Sequence, residues 1–489
     1  MRDDELGRLL STANPWWRAA AGGQDPTAWT QAHRLLKDRA RYDLGYRAHV
    51  LDDLAQAPIG DALVILTGPR RVGKSVVLLD LAQALCTRAD IDPRQVIHLP
   101  CDGFAARDLR RAFTLGRELT RFVDRDVPRQ RMWLLDEITG IPGWTAIVKA
   151  ARDGTDVGSD TVVLSGSRWL AAEDVEGNLL AGRAGSAGAR RTRHLFPMSF
   201  RDFVGVTRPA LAPLAPIHPS DLQSPSVEGI LQGIAFDVDA YDFAWQDYLR
   251  VGGFPRAVAE FFRNGMVSEA YLEDLQAWLR TDVDPDREAD AIPILLSELE
   301  RRMSSPLNVR AAAEALHYSR NAFPPRLQRL VSGFAAIWCP QRNEHGARVP
   351  GAQAKLYLAD PLLAWMPSRL RAGLLEPDMT RLTEAVIGVA LARAVDQLQA
   401  GRWVNGDTIG YLRTASDGEI DLAPLPVPSP AGTQRTVPLE SKWVEANWRS
   451  EARVIENKFR LGIVATKSIL DLGHPVWALP VPMVALLLQ

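Results

Sequence analysis

The sequence predicts an α/β protein organised on a parallel sheet with helices on both faces. Three observations carry that prediction. Short apolar runs alternate with helical periodicity from about residue 46 to residue 206, the pattern of a sheet covered on both sides. The strand candidates Ala62–Thr67, Gln95–Leu99, Arg131–Leu135 and Thr161–Leu164 each end near a polar residue, and in such sheets ligands gather at the carboxyl ends of the strands. The first run leads through a glycine-containing segment, residues 68–75, directly into the helix-like Val76-Val77-Leu78-Leu79-Asp80-Leu81-Ala82.

That segment reads Gly68-Pro69-Arg70-Arg71-Val72-Gly73-Lys74-Ser75. Glycines at its two ends allow backbone conformations that a side chain would obstruct. Successive N–H groups can then turn around a polyphosphate at the N-terminus of the following helix. The spacing predicts a phosphate-binding loop for ATP, with contacts running from Gly68 to Val76, Lys74 on the β- and γ-phosphates and Ser75 on Mg²⁺. The third run closes in Leu134-Leu135-Asp136-Glu137. Asp136 is expected to hold the magnesium, through water or the Ser75 hydroxyl, and Glu137 to orient and activate the attacking water. The fourth run ends at Ser165-Gly166-Ser167, where Ser165 is chosen as the hydroxyl that senses the γ-phosphate; a turn serine accounts for it equally well.

At 489 residues the chain is long enough for two to four domains. Lys+Arg is 57 and Asp+Glu is 59, a net charge of −2 that gives no global case for nucleic acid, so any basic surface must be local. The three cysteines, Cys86, Cys101 and Cys339, are far apart and form no paired motif, which argues against a disulfide framework and a zinc site. The acidic start and the lack of an apolar run of bilayer length predict a cytoplasmic protein that is neither exported nor inserted in a membrane.

Residues 1–45 read as a helical leader, 46–206 as the ATPase core and 207–240 as a proline-rich connection without regular helix. Residues 241–302 have the spacing of amphipathic lid helices. Residues 303–370 look like a winged helix: Val309–Leu316, a tight turn, then Pro324–Ser332, with Arg342–Leu358 as the wing. Arg320, Arg326 and Arg329 would then face DNA phosphates or bases, although many winged helices contact only protein. In residues 371–489, Glu384 lies near the start of a helix, and Gly418-Glu419-Ile420-Asp421 precedes Leu439-Glu440-Ser441-Lys442. Glu440 and Lys442 are two apart in a strand and share a face, which Asp421 from the adjoining strand would complete.

The order of the phosphate loop, Leu135-Asp136-Glu137-Ile138, Ser165-Gly166-Ser167, Gly182-Arg183, Phe196-Pro197-Met198-Ser199-Phe200 and Gly252-Gly253-Phe254-Pro255 resembles prokaryotic AAA-type ATPases with a C-terminal restriction-endonuclease-like domain of uncharacterised role. The resemblance implies a P-loop AAA-type core with a helical lid, a winged helix and a nuclease-like α/β domain. Arg183 resembles the family's arginine that stabilises transition-state charge, in cis or in a neighbouring subunit of a homo-oligomer. Pro255 ends a lid element similar to one that touches the nucleotide base. Asp421, Glu440 and Lys442 resemble a nuclease set in which Asp421 and Glu440 would ligate Mg²⁺ or Mn²⁺, Glu384 could add a helix-borne carboxylate, and Lys442 would orient the attacking hydroxide or neutralise the pentavalent phosphate. The function implied is an Mg-dependent ATPase controlling a nucleic-acid-binding, nuclease-like domain, with DNA favoured over RNA. The competing reading is a slow nucleotide-dependent switch or scaffold whose C-terminal domain is inert.

Overall fold

The computed structural model describes residues 1–121, 129–154, 157–168, 179, 183, 185–186, 191–211, 214–288, 290–399, 402–403, 406–414 and 418–488. The chain forms two compact units: Met1–Asp43 with Arg47–Phe196, and Leu44–Tyr46 with Pro197–Gln489.

The first unit holds a five-stranded parallel sheet of β1 (Ala62–Thr67), β2 (Val96–Pro100), β3 (Met132–Asp136), β4 (Thr161–Gly166) and β5 (Thr192–His194), in the order β2-β3-β4-β1-β5. Alternate residues of each strand point to opposite faces, and both faces are buried. Leu63, Ile65, Ile97, Leu99, Trp133, Leu135, Val162 and Leu164 join one core, and Val64, Leu66, Val96, Met132, Leu134 and Val163 join the other. The helix Lys74–Cys86 packs on the second face through Val77, Leu78, Leu81 and Leu85, and Ala106–Leu119 and Trp144–Asp153 on the first. Each fully buried leucine or isoleucine contributes about 1.5–3 kcal/mol.

The N-terminal segment has a definite task. β2 is an edge strand, whose unpaired backbone groups would otherwise face solvent or a foreign strand. Asn14 donates to the His98 carbonyl at 2.8 Å and accepts from the His98 N–H at 2.6 Å. Trp16 and Trp17 both donate their indole N–H to the Val96 carbonyl, at 2.9 and 2.8 Å. The leader thus seals the sheet edge with side chains in place of a sixth strand.

The second unit opens with helices Phe200–Thr207, Pro225–Gly233, Val238–Val251, Pro255–Asn264, Glu269–Val283 and Ala291–Arg302. The irregular, exposed connection expected over residues 207–240 is corrected here. Pro225 occupies the first turn of a helix, where no intrahelical donor is required. The extended part is tied by backbone hydrogen bonds to later segments, Ile217 N–H to Leu487 and Val437 N–H to Pro219. Next come Val309–Ala315 and Phe323–Ser332, then the antiparallel pair β6 (Ala336–Cys339) and β8 (Lys355–Leu358), between which lies the short β7 (Gln341–Arg342). Pro324 and Pro325 fall in the first turn of their helix and so do not break it.

The last part contains the long helix Met379–Gln399, a sheet of β7 with β9 (Tyr411–Arg413) and β10 (Glu419–Ile420), a hairpin of β11 (Pro426–Ser429) and β12 (Gly432–Arg435), and a parallel sheet of β13 (Leu439–Ser441), β14 (Gly462–Thr466) and β15 (Val476–Pro480). The proline-rich link between Asp421 and Glu440 pairs with itself; Pro426 and Pro428 sit in a two-stranded ribbon, where missing donors are tolerated.

The two signature stretches of this unit meet each other. Met198 N–H donates to the Gly253 carbonyl at 2.7 Å, and a side chain on Gly253 would lie 2.1 Å from the Met198 carbonyl oxygen. Gly252 has φ +74° and admits no Cβ beside Asp360. Asp360 accepts from the N–H groups of Gly253 at 2.8 Å and Leu362 at 2.9 Å. Burial pushes its carboxyl up from 3.8 to about 6, against those two amides and Arg393. A carboxyl raised in the folded state favours folding most while protonated, so its contribution is complete below pH 3.8 and is lost as pH rises through about 6. Asp360→Asn is expected to flatten the pH dependence of unfolding free energy between about pH 4 and 6 by about 3 kcal/mol. Urea unfolding of both proteins across that range checks this; an unchanged slope assigns the effect to another group.

Candidate functional site

The register of the first sheet gathers three strand ends on one edge. Thr67 of β1 lies beside Gly166 of β4, and Leu135 of β3 beside Leu164. The segment after β4 therefore stands between the loop after β1 and the acids that end β3.

The loop after β1 turns through Arg71 at φ +67° and Gly73 at φ +105° and enters the helix at Lys74. At Gly73 the positive φ is the requirement for glycine. At Gly68 it is space: Leu195 N–H donates to the Thr67 carbonyl at 2.8 Å, which brings the Leu195 carbonyl oxygen to 2.1 Å from where a Cβ would sit. Gly68→Ala is therefore expected to push β1 from β5 and cost about 1–3 kcal/mol, with at least a tenfold loss of ATP affinity; thermal unfolding and nucleotide titration measure both, and wild-type values for both refute the steric account.

Lys74 is 6% exposed, and its ammonium donates to the carbonyls of Gly68 at 2.9 Å and Pro69 at 2.8 Å. Val72 is buried, Ser75 and Val76 are half-buried at the start of the helix, and Arg70 and Arg71 are exposed. The oxygen donors expected for magnesium, the Ser75 hydroxyl and the Asp136 carboxylate, are hard ligands, and their chemistry fits that ion.

The acids are held by the two serines. Ser165 Oγ donates to Asp136 Oδ1 at 2.6 Å and accepts from the Glu137 N–H at 3.0 Å. Ser167 Oγ donates to Glu137 Oε2 at 2.8 Å and its N–H donates to Oε1 at 3.2 Å. Glu137 has φ +55°, a left-handed conformation uncommon outside glycine, which these bonds hold in place. Gly166 between the serines leaves no room for a Cβ, which would lie 2.1 Å from Thr139 Cγ2. Sequence reasoning chose Ser165 and passed over Ser167; the signal available was that two residues flanking a strand's last glycine share a face.

Arg183 forms a two-point ion pair with Asp153, at 2.5 and 2.8 Å, while Gly182 lies outside the described residues. In the second unit Pro255 stands in the first turn of its helix behind Gly252 and Gly253. Of the three arginines expected to face DNA, Arg326 pairs with buried Asp284 at 2.6 Å and Arg329 donates to the Val283 carbonyl at 3.0 Å; Arg320 is exposed.

Glu384, Asp421, Glu440 and Lys442 do converge. Asp421 N–H donates to Glu440 Oε2 at 3.1 Å, Ser441 N–H donates to Asp421 Oδ2 at 3.0 Å, and Lys442 Nζ is 3.0 Å from Glu440 Oε1. A fifth residue absent from the motif, Lys355 of β8, reaches Glu384 and Asp421 as well as Glu419. Among the described residues no group of three or more His, Cys, Asp or Glu side chains is arranged to hold a metal ion. Burial, then the neighbouring Asp421 charge, pushes Glu440 up to about 8, and the same two causes raise Glu384.

The three cysteines are free and buried. Among the described residues no helix is long and apolar enough to cross a membrane.

The family model described as an AAA domain matches residues 60–204, the span from β1 past β5. An uncharacterised protein of Haemophilus influenzae is 21% identical over 327 residues, covering 64% of this chain and 71% of its own length. Among solved structures, a Walker-type ATPase of Pyrococcus abyssi is 14% identical with a TM-score of 0.38, covering 67% of this chain and 95% of its own, and a RuvB variant of Thermotoga maritima is 14% identical with a TM-score of 0.23, covering 73% and 92%.

Proposed function

We propose, from the premise that residues 60–204 form an AAA-type P-loop domain, that this chain hydrolyses ATP to ADP and phosphate and that its nucleotide state governs the second unit. The observation that carries the reading is the buried Lys74 ammonium folded onto the loop carbonyls, on the strand edge where Asp136 and Glu137 also emerge.

In this reading the loop N–H groups and Lys74 bind the β- and γ-phosphates, while Ser75 and Asp136 hold Mg²⁺. Magnesium bound there supplies positive charge to the phosphate oxygens as the terminal bond breaks. Glu137 orients a water and accepts its proton; Ser165 and Ser167 fix the two acids so that their carboxylates need no reorganisation. Arg183 can act on phosphate only after leaving Asp153.

For the second unit, the Asp421, Glu440 and Lys442 spacing supports a Mg²⁺- or Mn²⁺-dependent nuclease acting on DNA. Two observations favour the other reading, a nucleotide-dependent switch whose last domain is inert: Lys355 already answers the carboxylates, and Arg326 is ion-paired with buried Asp284. The test is an Mn²⁺ cutting assay on DNA and RNA with wild type, Asp421→Ala and Lys442→Ala. The switch reading expects no cutting by any of them; cutting by wild type that both substitutions abolish establishes the nuclease.

A further inference from the structure

Four carboxylates crowd the interior of the second unit from three directions: Glu384 on the helix Met379–Gln399, Glu419 and Asp421 at β10, and Glu440 on β13. Glu384, Asp421 and Glu440 are 7%, 5% and 5% exposed, so water screens their mutual repulsion poorly and a nearby cation or bound protons must relieve it. Lys355 provides the cation. Its side chain is fully buried, and Nζ lies 2.9 Å from Glu384 Oε1, 2.8 Å from Glu419 Oε1 and 2.8 Å from Asp421 Oδ1. An ammonium has three donor protons, and three carboxylates match that number.

The surrounding bonds complete the enclosure. Tyr357, two residues along β8 and so on the same face as Lys355, donates its hydroxyl to Glu384 Oε1 at 2.7 Å. Both oxygens of Asp421 are engaged, one by Lys355 and the other by the Ser441 N–H, and both oxygens of Glu440 are engaged by Lys442 and the Asp421 N–H. A magnesium or manganese ion would need several of these oxygens at about 2.0–2.2 Å, in place of the bonds they now make.

We infer that Lys355 is the resident cation of this cluster: a tethered ammonium occupies Glu384 and Asp421, two of the three carboxylates the pattern would offer a divalent metal, while Lys442 and the Asp421 N–H occupy Glu440, and Lys355 locks β8 onto the last domain. This deepens the inert-domain reading. It is separable from it, because a domain that bound metal without cutting would pass the cutting assay and still fail here.

The experiment counts Mn²⁺ bound to the full chain by electron paramagnetic resonance, in an Asp136→Asn background that removes the acid expected to hold metal at the loop. The lock predicts that this chain binds no Mn²⁺ below millimolar concentration. Adding Lys355→Met is expected to create one site per chain, raise the unfolding temperature on Mn²⁺ addition, and lose both effects when Asp421→Asn is added. One Mn²⁺ bound with Lys355 present and lost on Asp421→Asn overturns the inference, and so does a folded Lys355→Met chain that gains no site. If Lys355→Met does not fold, the count with Lys355 present decides alone: no Mn²⁺ that depends on Asp421 supports the lock, and one that Asp421→Asn removes refutes it.

Discussion

Lys74→Ala is expected to reduce ATP turnover by at least about 100- to 1000-fold, the range seen when one preorganised donor to developing charge is removed. Lys74 is the cationic group at the head of the loop, buried at 6% exposure and held by two backbone carbonyls of the loop itself. Its removal takes charge from the phosphates and leaves the Gly68 and Pro69 carbonyls without their donor, so binding and chemistry fall together. Glu137→Gln separates the two. It keeps the side-chain shape but cannot accept a proton, so ATP should still bind while turnover drops about 100- to 10000-fold. Phosphate release and calorimetric ATP titration on the three proteins measure this. Turnover by Lys74→Ala within twofold of wild type would sink the ATPase reading.

Lys355→Met should cost the second unit about 3–5 kcal/mol, the penalty for stripping one partner from a buried ionic group. Methionine fills much of the volume, so the loss is electrostatic: three carboxylates that shared one ammonium must repel or take up protons. Because the carboxylates are easier to bury protonated, the loss should be smallest at acidic pH and grow as pH rises, consistent with the raised value of Glu384. Urea unfolding monitored by tryptophan fluorescence reads the change in midpoint. A midpoint equal to wild type at neutral pH would mean that Lys355 does not carry the charge balance.

Local signals made much of the first unit legible. Gly73 with Lys74-Ser75 marked the loop, and the apolar runs located four of the five strands within one or two residues, because a backbone that must turn and a strand that must be buried restrict residue type locally. β5 was not legible: three residues, Thr192–His194, are too few for a periodicity. The prolines misled over residues 207–240, since a proline in a helix's first turn looks the same in sequence as one that breaks a helix. Arg326 misled in another way, because an arginine's sequence neighbours do not reveal a buried aspartate 42 residues away.

The sequence by itself determined the glycine loop, the acids that end the third strand and the paired Glu440 and Lys442, all of them features whose chemistry is set within a few covalent bonds. Only the tertiary structure decided that Ser167 holds Glu137, that Leu195 rather than backbone conformation excludes a side chain at Gly68, and that Lys355 stands among the carboxylates of the last domain. The physical reason is the same in each case: hydrogen bonds, steric exclusion and charge neutralisation depend on distance through space, and residues that meet after folding need no regular spacing along the chain.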